Sequence, residues 1–258
     1  MLKLHIPESG EERLFEATFE PVTPSTEKLA RDTGLGEGEI TTIQGKTNKI
    51  VVGLPYYENL ISRLVTQKEE IPHEIKEMMD DYDFHYVSLS CSFLPDPDCR
   101  FVWARFGIEL NAVLESGRKV VERPIAFDMA PSEILSETKY MREVNINPEG
   151  KLSLSAVNLD MRGMSIKTQK ELIIHEPQVF ASGFGYSTIS WDFKSTKEKG
   201  IWGNKVGLLL IVKTPKKSKV KGKFLLGAEV EYKLKRWIPV PLSKRIDKVV
   251  DAEYDLSK

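Results

Sequence analysis

Cysteine is scarce: the 258 residues hold two, Cys91 and Cys99. Two thiols cannot build the disulfide framework of a small secreted scaffold or a cysteine-based zinc site, so both classes are excluded. With residues 84–94 and 100–114 read as a hairpin, Cys91 falls opposite about Ala104 and Cys99 sits in the turn, beyond disulfide reach. Two free thiols are expected. Histidine is almost as rare, and His5, His73, His85 and His175 share no metal-ligand spacing. None lies near a Ser or Cys in a nucleophile motif, so no metal is expected and no catalytic residue can be named.

Long apolar runs are also missing. The longest, Val206 to Val212, is far shorter than the ~20 residues of a bilayer-spanning helix and reads as a buried strand. No transmembrane segment is expected. The opening residues Met1 to Glu8 lack the apolar stretch of a secretory leader, which makes the cytosol the expected location.

Phosphate-binding loops fail on inspection. Gly45-Lys46-Thr47 resembles the end of one, but Ile40 stands where the pattern needs glycine, and Ile40 to Ile43 read as a strand. Gly34-Leu35-Gly36-Glu37-Gly38 lacks the strand and helix that a dinucleotide fingerprint requires. No cofactor is expected. Asp96 and Asp98 read as a solvated turn rather than a cation loop, and Cys91 sits in an alternating core pattern that suits an inert thiol. A catalytic site assembled in space from distant residues stays open.

What the chain does have is period-two alternation. Phe15, Ala17 and Phe19 mark one strand, and Lys49 to Gly53 another. Ser25 or Thr26 can cap a helix to about Thr33, closed by Gly34. Tyr57, Leu60, Ile61 and Leu64 fall at helical spacing, as do Ile75, Met78, Met79 and Tyr82 after Pro72, which predicts a helix pair packed on a sheet. From residue 84, Val87, Leu89, Cys91 and Phe93 alternate with serines; Val102 to Ala112 alternate beyond Pro95-Asp96-Pro97-Asp98, with Gly107 as a bend or bulge. Further strands are expected at 125–129, 143–146, 151–159, 188–193, 205–212 and 224–234, with Pro148 to Gly150 and Lys199-Gly200 as turns. Helices are expected from Pro131 to Met141 and from Ser243 to Val250. The two prolines in 235–242 make that segment extended. The fold class is therefore α+β and β-rich: a mixed α/β region over 1–83, then a mainly antiparallel sheet or sandwich over 84–258, within one continuous domain.

Charge is unevenly placed. Residues 1–150 carry 16 Lys+Arg against 27 Asp+Glu, and residues 151–258 carry 21 against 11, so the near-neutral total hides a split of about −11 and +10. Between 213 and 223 lie six lysines and no acid: Lys213, Lys216, Lys217, Lys219, Lys221 and Lys223. A hairpin tip would carry all six outward, and Trp202 and Trp237 could add stacking. Clustered lysine suits phosphate-rich partners through counterion release, yet it also describes a solvated loop or a protected sheet edge. The sequence favours a non-enzymatic binding or assembly module with a protein partner or self-association. Binding of nucleic acid or an acidic membrane surface through 213–223 is the alternative.

Overall fold

The computed structural model describes residues 12–19, 30–31, 34–114, 122–146, 152–155, 168–196, 201, 206–234, 238–241 and 246–256. Two antiparallel sheets face each other. The first joins β1 (Arg13–Phe19), β2 (Asn48–Gly53), β3 (Tyr56–Asn59), β4 (Tyr82–Leu94), β6 (Ile125–Ala130) and β11 (Val206–Pro215) in the order β1-β2-β4-β11-β6, with β3 also on β4. The second joins β5 (Cys99–Leu114), β7 (Glu133–Ile146), β8 (Leu152–Ser155), β9 (Thr168–Ser182), β10 (Thr188–Lys194), β12 (Ser218–Leu234), β13 (Ile238–Pro241) and β14 (Ile246–Asp255). Its order is β13-β12-β5-β10-β9-β7-β8, with β14 also on β12. The β-rich α+β class expected from the alternation holds: antiparallel strands dominate and helices are few.

Alternation sends one side chain in two into the space between the sheets. There Val87, Leu89 and Phe93 of β4 and Leu208 and Leu210 of β11 meet Phe106, Ile108, Trp191, Phe193 and Phe224 of the second sheet. Phe106 lies 5.6 Å from Phe224 and 6.2 Å from Trp191, centroid to centroid. Burial of each such side chain contributes roughly 1.5–3 kcal/mol. The opposite face of the first sheet is covered by α2 (Leu60–Gln67) and α3 (His73–Met78), whose Leu60, Leu64 and Ile75 pack on Phe84, Tyr86, Leu209 and Ile211. β4 is therefore buried on both sides, which explains its near-continuous apolar and small-residue sequence.

Several expectations need correction. β4 and β5 do not pair: β4 bonds to β2, β3 and β11, and β5 to β10 and β12, so the Pro95 to Asp98 turn passes the chain from one sheet to the other. Alternation reports which face is buried, not which strand lies alongside. Cys91 consequently pairs in register with Val206 and Val52 rather than Ala104, and Cys99 with Tyr232; both thiols are free, as expected. Ile40 to Ile43 form part of helix α1 (Glu37–Gln44), because Ile40 and Ile43 are both buried three residues apart and the Thr41 and Thr42 hydroxyls donate to carbonyls four residues back.

The 57–64 periodicity divides at Asn59, whose side chain caps α2 by accepting from Ser62 N; Tyr57 thereby becomes a strand residue. In place of the helices expected at 131–141 and 243–250, the chain is strand from Glu133 to Met141 and from Ile246 to Val250, as parts of β7 and β14, because pairing to β9 and β12 overrides local preference. Gly107 is no bulge. A Cβ there would stand 3.2 Å from Ile189 O and from Leu225 O, so glycine lets three strands approach. The β5–β12 bulge falls instead between Glu229 and Val230. Of the helix expected before Gly34, residues 30–31 are helical, and Gly34, at φ +72°, donates to Ala30 O. The rest of it, the turns at 148–150 and 199–200, and most of the 151–159 strand lie outside the described residues.

Candidate contact surfaces

The lysine stretch is not a loop. β11 runs to Pro215 and β12 starts at Ser218, leaving Lys216 and Lys217 as a two-residue tip, with Lys217 at φ +59°. The tip is tied down: Lys216 N donates to Asp81 O, Lys217 N donates to Asp83 Oδ2 at 3.1 Å, and the Thr214 and Ser218 hydroxyls share a bond beneath it. Strand alternation then separates the lysines. Lys213 lies on the helix-covered side, its Nζ 4.2 Å from the centroid of Tyr82. Lys219, Lys221 and Lys223 alternate with buried Val220, Gly222 and Phe224, which puts them on the outer face of the second sheet.

That face is charge-mixed. Lys221 pairs with Glu253, Arg123 with Glu109, and Arg105 holds Asp192 through two bonds of 2.8 Å. Arg100 likewise grips Glu231. Lys216, Lys217 and Lys219 have no ion pair among the described residues. Trp202 and Trp237 lie outside the described residues. The structure thus brings together the tip lysines and Lys219, and not Lys213 with the rest.

The charge split of the sequence does not carry over to the layers. Five of the six strands of the first sheet come from residues 1–150, and six of the eight of the second from residues 151–258. Yet the strands of the two sheets carry nearly the same small negative formal charge, so the split resides mainly in the segments between the strands.

Asp96 serves as a joint rather than a cation ligand. It accepts from Lys46 Nζ at 3.1 Å and Thr47 N at 3.0 Å, while its own N–H donates to Asn48 Oδ1. These bonds hold the end of α1 against the β4–β5 crossing, and they account for Gly45-Lys46-Thr47 without a phosphate. Burial pushes the Cys91 thiol far above its ordinary range and Cys99 up to about 11, which disfavours the thiolate at both. No cluster of three or more His, Cys, Asp or Glu side chains suited to a metal occurs among the described residues, and no helix among them is long and apolar enough to cross a membrane.

Two features escaped the sequence reading. One is the ribbon of β7, β8 and β9. β9 pairs with β7 from Thr168 to Phe180 but with β10 only from Val179 to Ser182, so most of the ribbon extends past its parent sheet. Pro177 in β9 lies opposite Leu135, next to the register shift between Ile134 and Leu135. The apolar run Leu172-Ile173-Ile174 was the available signal. The other feature is His85. Its ring is buried, both ring nitrogens lack hydrogen-bond partners, and it stacks on Tyr57 at 4.7 Å. Desolvation drives its pKa down to about 4, opposed by the Asp83 carboxylate.

No family model matches the chain, and no curated protein matches it. Among solved structures it is similar to the Clostridium perfringens NetB toxin in the membrane inserted form, at 11% identity and TM-score 0.28, covering 81% of this chain and 86% of that one. It is also similar to Clostridium perfringens delta-toxin, at 10% identity and TM-score 0.31, covering 94% and 89%, and to a structure described as a pore forming protein, at 9% and 0.28, covering 94% and 92%.

Proposed function

We propose that the chain is a non-enzymatic assembly module that joins copies of itself through the β7–β8–β9 ribbon. The observation behind this reading is the outer edge of β9, unpaired from Thr168 to Gln178 among the described residues. A row of open N–H and C=O groups is a template for another strand, and a ribbon of two or three strands has little stability by itself. Ribbon-to-ribbon pairing answers both needs. The β9 edge of one copy meeting the β8 edge of the next is a heterologous contact, which closes into a ring or propagates. The test mixes two variants, Glu171→Cys on β9 and Ser153→Cys on β8, both in a Cys99→Ser background. Disulfide-linked dimers in the mixture are expected. Their absence at concentrations where the parent associates refutes ribbon pairing.

The ribbon register favours a second reading, in which the assembly addresses a lipid surface. Positions 138, 140, 144 and 146 of β7 share a face with 172 and 174 of β9 and with 152 and 154 of β8. In sequence these are Thr, Tyr, Val, Ile, Leu, Ile, Leu and Leu, interrupted on that face by the Arg142 and Lys170 pair. The opposite face holds Glu137, Lys139, Glu143, Asn145, Glu171 and His175, interrupted by Met141 and Ile173. An apolar face alternating with a polar one is the pattern of a strand between lipid and water. Co-sedimentation with phosphatidylcholine–phosphatidylserine vesicles tests this, and vesicles that leave the protein in the supernatant at low salt rule it out.

A further inference from the structure

At one end of the sandwich the last turn of the lysine hairpin, β3, β4 and the end of β14 meet around a polar group the assembly reading does not use. His85 points between the sheets, on the same side of β4 as Val87 and Leu89, and pairs in register with Asn59 of β3 and Val212 of β11. Tyr57 of β3 lies flat against its ring, 22° from parallel. Asp83, two residues back on the same strand, is the charged group facing it; its carboxylate already accepts from Lys217 N, which fastens the hairpin tip. Tyr57 is the other titratable group, and its hydroxyl is held neutral by burial, with the Asp83 and Asp255 carboxylates adding to the effect. The inward positions of β11 beside His85 and Asp83 are Val212 and Thr214, and the Thr214 hydroxyl bonds that of Ser218 on β12; none of the three is charged.

We propose that His85 is an acid-sensitive latch, whose protonation loosens β3 and the 215–218 turn from this end of the sandwich. A charged imidazole donates from both nitrogens, and neither has an acceptor here. Charging it in place therefore costs desolvation without a compensating bond. Two movements relieve that cost. Tyr57 can swing off the ring to admit water, or Asp83 can turn from Lys217 N to the imidazolium; the first frees β3 and the second frees the hairpin tip.

The sign follows from linkage. The ring is harder to protonate when closed, with a pKa of about 4, than when open, at the ordinary 6.5. The latch is fully held above pH 6.5 and weakens as pH falls from there to 4, the open population growing roughly tenfold per pH unit, to a few hundredfold. Below pH 4 the two forms bind the proton alike and this contribution is flat.

Hydrogen exchange on the full chain between pH 7 and 4, corrected for the intrinsic chemical rate, reads this directly. Peptides covering 56–59 and 211–220 should lose protection as pH falls, and His85→Leu, which stays neutral, should hold their protection flat across the same range. A loss of equal size in His85→Leu overturns the proposal. Should that variant not fold, the His85 ring signal in the parent decides by nuclear magnetic resonance. A ring that stays neutral until protection is lost supports the latch, and a ring titrating near 6.5 with both segments still protected overturns it.

Discussion

β12 and the β7–β9 ribbon are both long antiparallel systems, yet they are held in different ways. β12 is seventeen residues long, paired on one side to β5 from Ser218 to Tyr232 and on the other to β14 and β13 in turn. Its inward residues Val220, Phe224, Leu226, Ala228 and Val230 all lie in the core. β9 is nearly as long, but a second neighbour flanks only its last few residues. Strand length therefore does not measure stability. Hydrogen bonds on both edges and an apolar face against another layer do, and the difference separates a scaffold from an element available to a partner.

The sharpest way to break this comparison is to charge the scaffold. Phe106→Asp places a carboxylate between Trp191 and Phe224, in a core cluster that is apolar among the described residues, and should cost more than about 4 kcal/mol or prevent folding. Urea unfolding checks it; a midpoint equal to the parent's would mean that β5 does not face the core. A smaller loss is expected at the turn between β9 and β10. Gly183 has φ +103°, and a Cβ there would stand 2.4 Å from Thr188 O, while the following residues bond to Ala126 and cover the edge of β6. Gly183→Ala should cost roughly 1–3 kcal/mol, read as a lowered melting temperature. A melting temperature at or above the parent's contradicts the turn geometry.

The smallest effect on stability is expected at the lysine tip. Replacing Lys216, Lys217 and Lys219 together by Gln should change stability by no more than about 0.5 kcal/mol, because no ion pair is lost among the described residues. The same change should remove the salt-sensitive part of any affinity the parent shows for phosphatidylserine vesicles. An unchanged salt dependence would move that charge contact to another surface. Adding Lys221→Gln should cost little more, since its partner Glu253 is itself exposed.

How much of this was legible in the sequence follows from what alternation encodes. Phe106, Ile108, Val87 and Leu89 could be placed in the core because period two reports a buried face directly. Strand partners could not be placed. The same pattern fits a hairpin and a crossing between sheets, so β4 and β5 were joined by their short turn when their hydrogen bonds run to β11 and β12, more than a hundred residues away. Helical spacing over short windows misled for a related reason: Tyr57 and Leu60 fit a helix until Asn59 caps one behind Tyr57. The lysines were visible as a cluster along the chain, but alternation divides Lys213 from Lys219, Lys221 and Lys223 once the tip shrinks to two residues. His85 carried no signal because its setting is made by Tyr57, Asp83 and Lys217, which converge only in space.

The central claim is that the ribbon joins copies while the sandwich folds without it. The direct measurement is the sedimentation of the parent beside a variant in which residues 137–175 are replaced by a short Gly-Ser turn, at matched concentration and low salt. The expected result is a parent that forms higher-mass species and a shortened chain that sediments as a monomer with the parent's melting temperature. A shortened chain that assembles as the parent does, or a parent that remains a monomer throughout, would contradict the account.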